Sequence, residues 1–152
     1  MVNTGTSSIE IARPSADVWA AIADIMRMGE WSPECVAGRW VDGATGPATG
    51  ARFEGDNVAK MAGLTVKRWT TTSVVTECEP GRLFEFVAEE LTTWRYGLET
   101  VGNATRVTES FAYQVSGFVG RVLYDGVLRR ESAMTKGMHR TLGRLKQALE
   151  AG

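Results

Sequence analysis

The chain has 152 residues, enough for one domain with a sizeable core or a core plus a cavity. Lys and Arg number 17 against 18 Asp and Glu, so the formal charge is −1 and no global field draws the chain toward nucleic acid or anionic lipid. Apolar runs such as Val18 to Ala23 fall far short of the roughly 20 residues that span a bilayer, and no charged-then-apolar leader opens the sequence. The expectation is a cytoplasmic protein with no stable membrane insertion and no nucleic-acid partner.

Ser8 to Ala12 alternates as a short strand, and Pro14, Ser15 and Asp17 then supply a fixed φ, a hydroxyl cap and a first-turn acid for a helix. Val18, Trp19, Ile22, Ile25 and Met26 form one apolar stripe along that helix, which Gly29 and Trp31-Ser32-Pro33 end. From Cys35 to Val115 the period becomes two. Turn signals at Asp42-Gly43, Gly46-Pro47, Glu79-Pro80-Gly81-Arg82 and Gly102-Asn103 divide that stretch, which reads as six strands in a meander. Pro80-Gly81 suits the centre of a type II turn, so Val74–Glu79 and Leu83–Glu89 are predicted to form a hairpin. After Gly117 the spacing is helical again, with Leu123, Val127, Met134, Met138, Leu142, Leu145 and Leu149 on one face of a long C-terminal helix. The segregated order is α+β: a seven-stranded, mostly antiparallel curved sheet around the last helix, with one or two short helices after strand 1.

Successive strand side chains point to opposite faces, which assigns the inner set. Phe84 and Phe86 oppose Glu85; Trp94, Tyr96 and Leu98 oppose Arg95 and Glu99. Trp69 and Val75 share a parity with Thr71 and Ser73, a mixture suited to a pocket wall. In the last strand Val107, Phe111, Tyr113 and Val115 face inward and force Glu109 inward with them, while 100° per residue puts Glu131 near the apolar stripe of the helix. A carboxylate so placed must find a partner, reach solvent or take up a proton. Methionines on the helix adapt to irregular space, so a ligand-sized cavity between sheet and helix follows.

Other chemistries find little support. The single His139 lies well off the apolar stripe, which argues against a hydrolase triad. Cys35 has no second histidine to activate it, and Cys78 has a parity opposite to Trp69 and Val75, so both read as structural. Two cysteines and one histidine do not make a four-ligand zinc site, and no glycine-rich phosphate cradle occurs; no metal and no cofactor is expected.

Several motifs together resemble the SRPBCC superfamily of START-like, helix-grip proteins, in its polyketide cyclase/dehydrase-like branch. They are Ile9-Glu10-Ile11 through Pro14-Ser15-Ala16-Asp17-Val18-Trp19, Trp31-Ser32-Pro33, Gly50-Ala51-Arg52-Phe53-Glu54-Gly55-Asp56-Asn57 and Trp69. Glu79-Pro80-Gly81-Arg82-Leu83-Phe84-Glu85-Phe86, Trp94-Arg95-Tyr96-Gly97-Leu98-Glu99, Thr105-Arg106-Val107-Thr108-Glu109 and the ending Leu142 to Glu150 complete them. The resemblance covers nearly the whole chain and implies a deep hydrophobic cavity, used by different members for lipids, sterols or polyketides. It transfers no catalytic pattern, because one scaffold carries both carriers and enzymes.

The first functional expectation is therefore a binder of a small hydrophobic, ring-containing molecule. Its predicted walls are Trp69, Thr71, Ser73, Phe84, Phe86 and Trp94 on the earlier strands. Tyr96, Leu98 and Phe111 follow on the later strands, with Val127, Met134 and Met138 on the helix. The alternative is a cofactor-independent cyclase, aromatase or dehydratase in the same cavity, with Glu109 or Glu131 as base and Tyr96 or Tyr113 as acid or oxyanion donor. A third class, an interaction module docking through the sheet, is left open, as is a homodimer.

Overall fold

The computed structural model describes the backbone of residues 2–114 and 124–152, and the side chains of 4–113 and 134–152. Strand β1 (Val2–Ile11) runs into helix α1 (Ser15–Ala23) and a 3-10 helix (Ile25–Glu30). Six strands follow: β2 (Cys35–Val41), β3 (Arg52–Met61), β4 (Leu64–Glu79), β5 (Leu83–Ala88), β6 (Thr92–Val101) and β7 (Ala104–Gln114). Helix α2 (Tyr124–Ala151) closes the chain. The strands form one sheet in the order β1-β7-β6-β5-β4-β3-β2, and every described pair is antiparallel. The expected α+β helix-grip arrangement, with its curved seven-stranded sheet, is the architecture observed. Val115, Gly117 and Leu123 lie outside the described residues, as do the side chains of Val127 and Glu131.

The turns form where backbone chemistry permits them. Gly81 has φ 79° and the Arg82 N–H donates to the Glu79 carbonyl at 3.0 Å, closing the Pro80-Gly81 turn between β4 and β5. The β3–β4 turn falls at Ala62-Gly63, with φ 52° and 81°, outside the turn positions expected from the sequence. A left-handed alanine is rare, so residue type alone gives weak warning of it.

Three expectations change. The helix after β1 is not one continuous stripe: it breaks at Asp24, and Met26 is 64% exposed although Ile25 is fully buried. The tighter 3-10 turn shifts the angular phase, and contact with β2 demands it, since a Cβ on Gly38 would lie 2.3 Å from the Ile25 carbonyl oxygen. The Ser15 hydroxyl does not cap α1, because Pro14 occupies the cap position and Ser15 already lies within the first turn. Finally, a bulge between Val75 and Glu77 restores Cys78 to the inner face, opposite Phe84.

The main core gathers Ile11, Val18, Ile22, Ile25, Phe84, Val107, Leu142 and Leu145. Trp19 packs edge-on to Phe84 and its indole N–H donates to the Leu83 carbonyl at 2.8 Å, which ties α1 to β5. Phe84 is fully buried at the centre of this cluster. Phe84→Ala is expected to cost about 3–5 kcal/mol, measured by urea denaturation.

Candidate functional site

One row of the sheet's inner face carries a buried carboxyl. Register places Ser7 of β1 opposite Glu109 of β7, Glu109 opposite Tyr96 of β6, Tyr96 opposite Phe84 of β5, and Phe84 opposite Cys78 of β4. Strand alternation sends all five side chains to the same face. Glu109 is only 3% exposed, and the Tyr96 hydroxyl donates to its Oε1 at 2.7 Å. Its Oε2 is enclosed and has no hydrogen-bond partner among the described residues.

Burial pushes the Glu109 carboxyl up to about 7, against a smaller downward pull from the Tyr96 hydrogen bond. Burial also raises Tyr96 well above its ordinary value, reinforced by the Glu109 charge and by their hydrogen bond. The Tyr96 ring keeps some exposure while its oxygen is enclosed. Tyr96 therefore keeps its proton while Glu109 exchanges one near neutrality: a neutral Glu109 offers a donor at Oε2, and an ionised one offers an acceptor.

The next row toward the β5–β6 turn is apolar. Phe111 and Tyr113 pack with Met134 and Met138 of α2, and Trp94 lies against them with its ring 5.6 Å from that of Phe111. The structure thus brings Trp94, Tyr96, Phe111, Tyr113, Met134 and Met138 to the neighbourhood of Glu109. It places Phe84, Phe86 and Leu98 in the main core with Leu142 and Leu145, where Phe86 also meets the ring of Phe53 at 5.0 Å. Ser73 is buried between Phe53 and Ala88. Trp69 is half-buried under the Lys67 ammonium, 5.3 Å from the ring centre. The side chains of Val127 and Glu131 lie outside the described residues.

Asn57, to which sequence reasoning gave no role, is buried and donates to the Gly55 carbonyl and to the Thr71 hydroxyl, each at 3.1 Å. Its shared parity with Phe53 was a usable signal. Ser7 falls outside the expected strand, which starts at Ser8 although β1 begins six residues earlier at Val2. It is buried, and its hydroxyl lies 2.9 Å from Nδ1 of the exposed His139, linking β1 to α2. Neither thiol has nucleophile chemistry: burial pushes Cys35 up to about 11 and raises Cys78 as well, leaving both protonated at neutral pH.

Two titrations follow. Because the folded state holds the Glu109 proton more tightly than the unfolded chain, the group's contribution is intact below about 4.5 and turns unfavourable as pH rises toward 7. Glu109→Gln is expected to gain stability over the native chain across that window, by roughly 3 kcal/mol, read from urea midpoints at the two ends. Tyr96→Phe removes the hydrogen bond that lowers the carboxyl, so Glu109 should titrate higher still, followed by carbon NMR of its side chain.

The chain matches the family of polyketide cyclase / dehydrase and lipid transport proteins over residues 4–150. It is 28% identical over 150 residues to the Mycobacterium tuberculosis protein Rv0088; the match covers 95% of this chain but 63% of that protein, so the chain spans less than two thirds of this curated relative. The solution structure of the Polyketide_cyc-like protein Cgl2372 from Corynebacterium glutamicum shares 33% identity and superimposes with a TM-score of 0.70, covering 99% of this chain and 93% of that one. The di-domain ARO/CYC StfQ from the steffimycin biosynthetic pathway shares the fold, with a TM-score of 0.73 at 14% identity over 97% of this chain and 50% of that one. With its helix-grip sheet and the match over nearly its whole length, the chain belongs to the polyketide cyclase / dehydrase and lipid transport family, within the SRPBCC superfamily.

Proposed function

We propose that this protein binds a small, ring-containing hydrophobic molecule between the inner face of the sheet and α2. Trp94, Phe111, Met134 and Met138 supply its apolar contacts, and Glu109 with Tyr96 receives its one polar group. The observation that carries this reading is the Glu109 carboxyl: nearly fully buried beside an aromatic and thioether cluster, with one oxygen satisfied by Tyr96 and the other without a partner among the described residues. A buried polar atom left unpaired costs free energy that a ligand oxygen would recover. A ketone suits it best, since it accepts from the protonated carboxyl.

Family membership and the steffimycin-pathway relative in fold support a small-molecule role of this kind. Native mass spectrometry of protein purified from its own host should retain a neutral or weakly polar guest. A titration with 2-acetonaphthone, read by tryptophan fluorescence, is expected to weaken as pH rises through about 7, where Glu109 ionises and stops donating. Binding that is flat with pH and unchanged in Glu109→Ala would remove the carboxyl from the site.

A second reading is favoured by the same group's titration near neutrality: a cofactor-independent cyclase, aromatase or dehydratase. Ionised Glu109 would take the α-proton of a bound ketone onto Oε2, the C–H electrons passing to the carbonyl oxygen as the enolate forms. Under this reading Glu109→Gln should lower turnover by about 10²–10⁴ while leaving affinity nearly unchanged. Equal loss of both would speak for binding alone.

A further inference from the structure

The β3–β4 hairpin projects beyond its neighbours. Pairing of β2 with β3 ends at Cys35 and Asn57, and pairing of β4 with β5 ends at Ser73 and Ala88. Ala59–Met61 and Leu64–Lys67 therefore have strand partners only in each other, and the tip stands on the order of 10 Å clear of the sheet. A bulge there leaves Val66 without a cross-strand partner.

This tip is apolar where it contributes nothing to a core. Met61, Leu64 and Val66 are 70%, 71% and 60% exposed. Large apolar side chains grouped at a tip mark a contact surface more often than scattered ones do. The charge around them has one sign. Asn57 to Thr76 carries Lys60, Lys67 and Arg68 and no acid, within a chain whose formal charge is −1. Lys60 and Arg68 are in none of the ion pairs among the described residues, which join Arg13, Arg27, Arg39, Arg52, Arg82, Arg95, Arg106 and Lys146 to acids, and Lys67 lies over Trp69.

The tip also has a position. In an up-and-down meander the β3–β4 and β5–β6 turns fall at the same end, so Met61 and Leu64 share an end with exposed Leu91 and with the pair Thr92–Tyr113 beside the Phe111–Met134 cluster. Among the described residues, the acids near this end are Glu34, which precedes β2 and whose carbonyl accepts from the Val58 N–H at 2.9 Å, and Glu89 and Glu90 on the β5–β6 turn, where the Thr72 N–H donates to the Glu89 carboxylate at 2.6 Å.

We propose that the β3–β4 tip docks reversibly on an anionic lipid surface, with Met61, Leu64 and Val66 entering the headgroup boundary and Lys60, Lys67 and Arg68 facing the lipid charge. An apolar wedge and a basic collar are the two signals that peripheral attachment needs, and three charges with three side chains make it transient. Contact at this end would let a hydrophobic guest exchange with the bilayer without crossing water. The docking stands whether or not Glu109 performs chemistry.

Vesicle co-sedimentation of the full chain tests it, with phosphatidylcholine alone against phosphatidylcholine mixed with phosphatidylglycerol. The native chain is expected to bind the mixed vesicles and to be released by salt. Lys60→Gln, Lys67→Gln and Arg68→Gln should each weaken partitioning about fivefold. Met61→Ser with Leu64→Ser should abolish it, with an unchanged thermal melt because the tip is exposed. Absence of binding, equal binding to both vesicles, or indifference to these substitutions would overturn the proposal. So would self-association in vesicle-free buffer that Met61→Ser with Leu64→Ser removes, which would make the occupant a second copy.

Discussion

A helix about 10–12 Å across cannot cover a flat sheet of seven strands, which at about 4.8 Å per gap would be roughly 29 Å wide. The sheet must therefore curl around α2, with α1 and the 3-10 helix closing what remains. The main core gathers around Phe84, Val107, Leu142 and Leu145. The close approach of Gly38 to the Ile25 carbonyl belongs to the same closure, because any larger residue would push the 3-10 helix off β2.

Toward the β5–β6 end, large adaptable side chains replace the branched ones, and the smaller cluster of Phe111, Tyr113, Met134 and Met138 takes over. Glu109 lies between the two regions. Its row also contains Ser7 and Tyr96, so hydroxyl and carboxyl groups sit beside Phe84 within an otherwise apolar inner face. A charged carboxylate there would cost too much to keep at low pH, which is why the proton stays to about neutrality. Tyr96 satisfies only one of its oxygens. The raised proton affinity of the pair comes from being enclosed.

Much of this was legible in the residues. Alternation assigned Phe84, Phe86, Trp94, Tyr96, Leu98, Phe111, Tyr113 and Glu109 to the inner face correctly, because a two-residue period survives as long as the strand is regular. It failed at Cys78, where one bulged residue reverses every later assignment on β4. The helical period failed in the same way at Met26, once the α-helix gave way to a 3-10 turn. Asn57 was passed over since a polar residue on an inner face is visible only through its partners, here Gly55 and Thr71. The tip at Ala62-Gly63 is not legible in the residues, because its strands are pinned by their register and not by a strong turn signal.

What the sequence determined by itself was local and periodic: the order of strands and helices, the α+β class and most of the side chains that face inward on regular strands. Those follow from bond geometry and the spacing of apolar residues. Only the tertiary structure decided that Glu109 meets Tyr96, that its second oxygen is left enclosed and that its proton is held to about 7. Desolvation and hydrogen bonding depend on atoms brought together from distant parts of the chain, Ser7 and Tyr96 among them, and no local period encodes that.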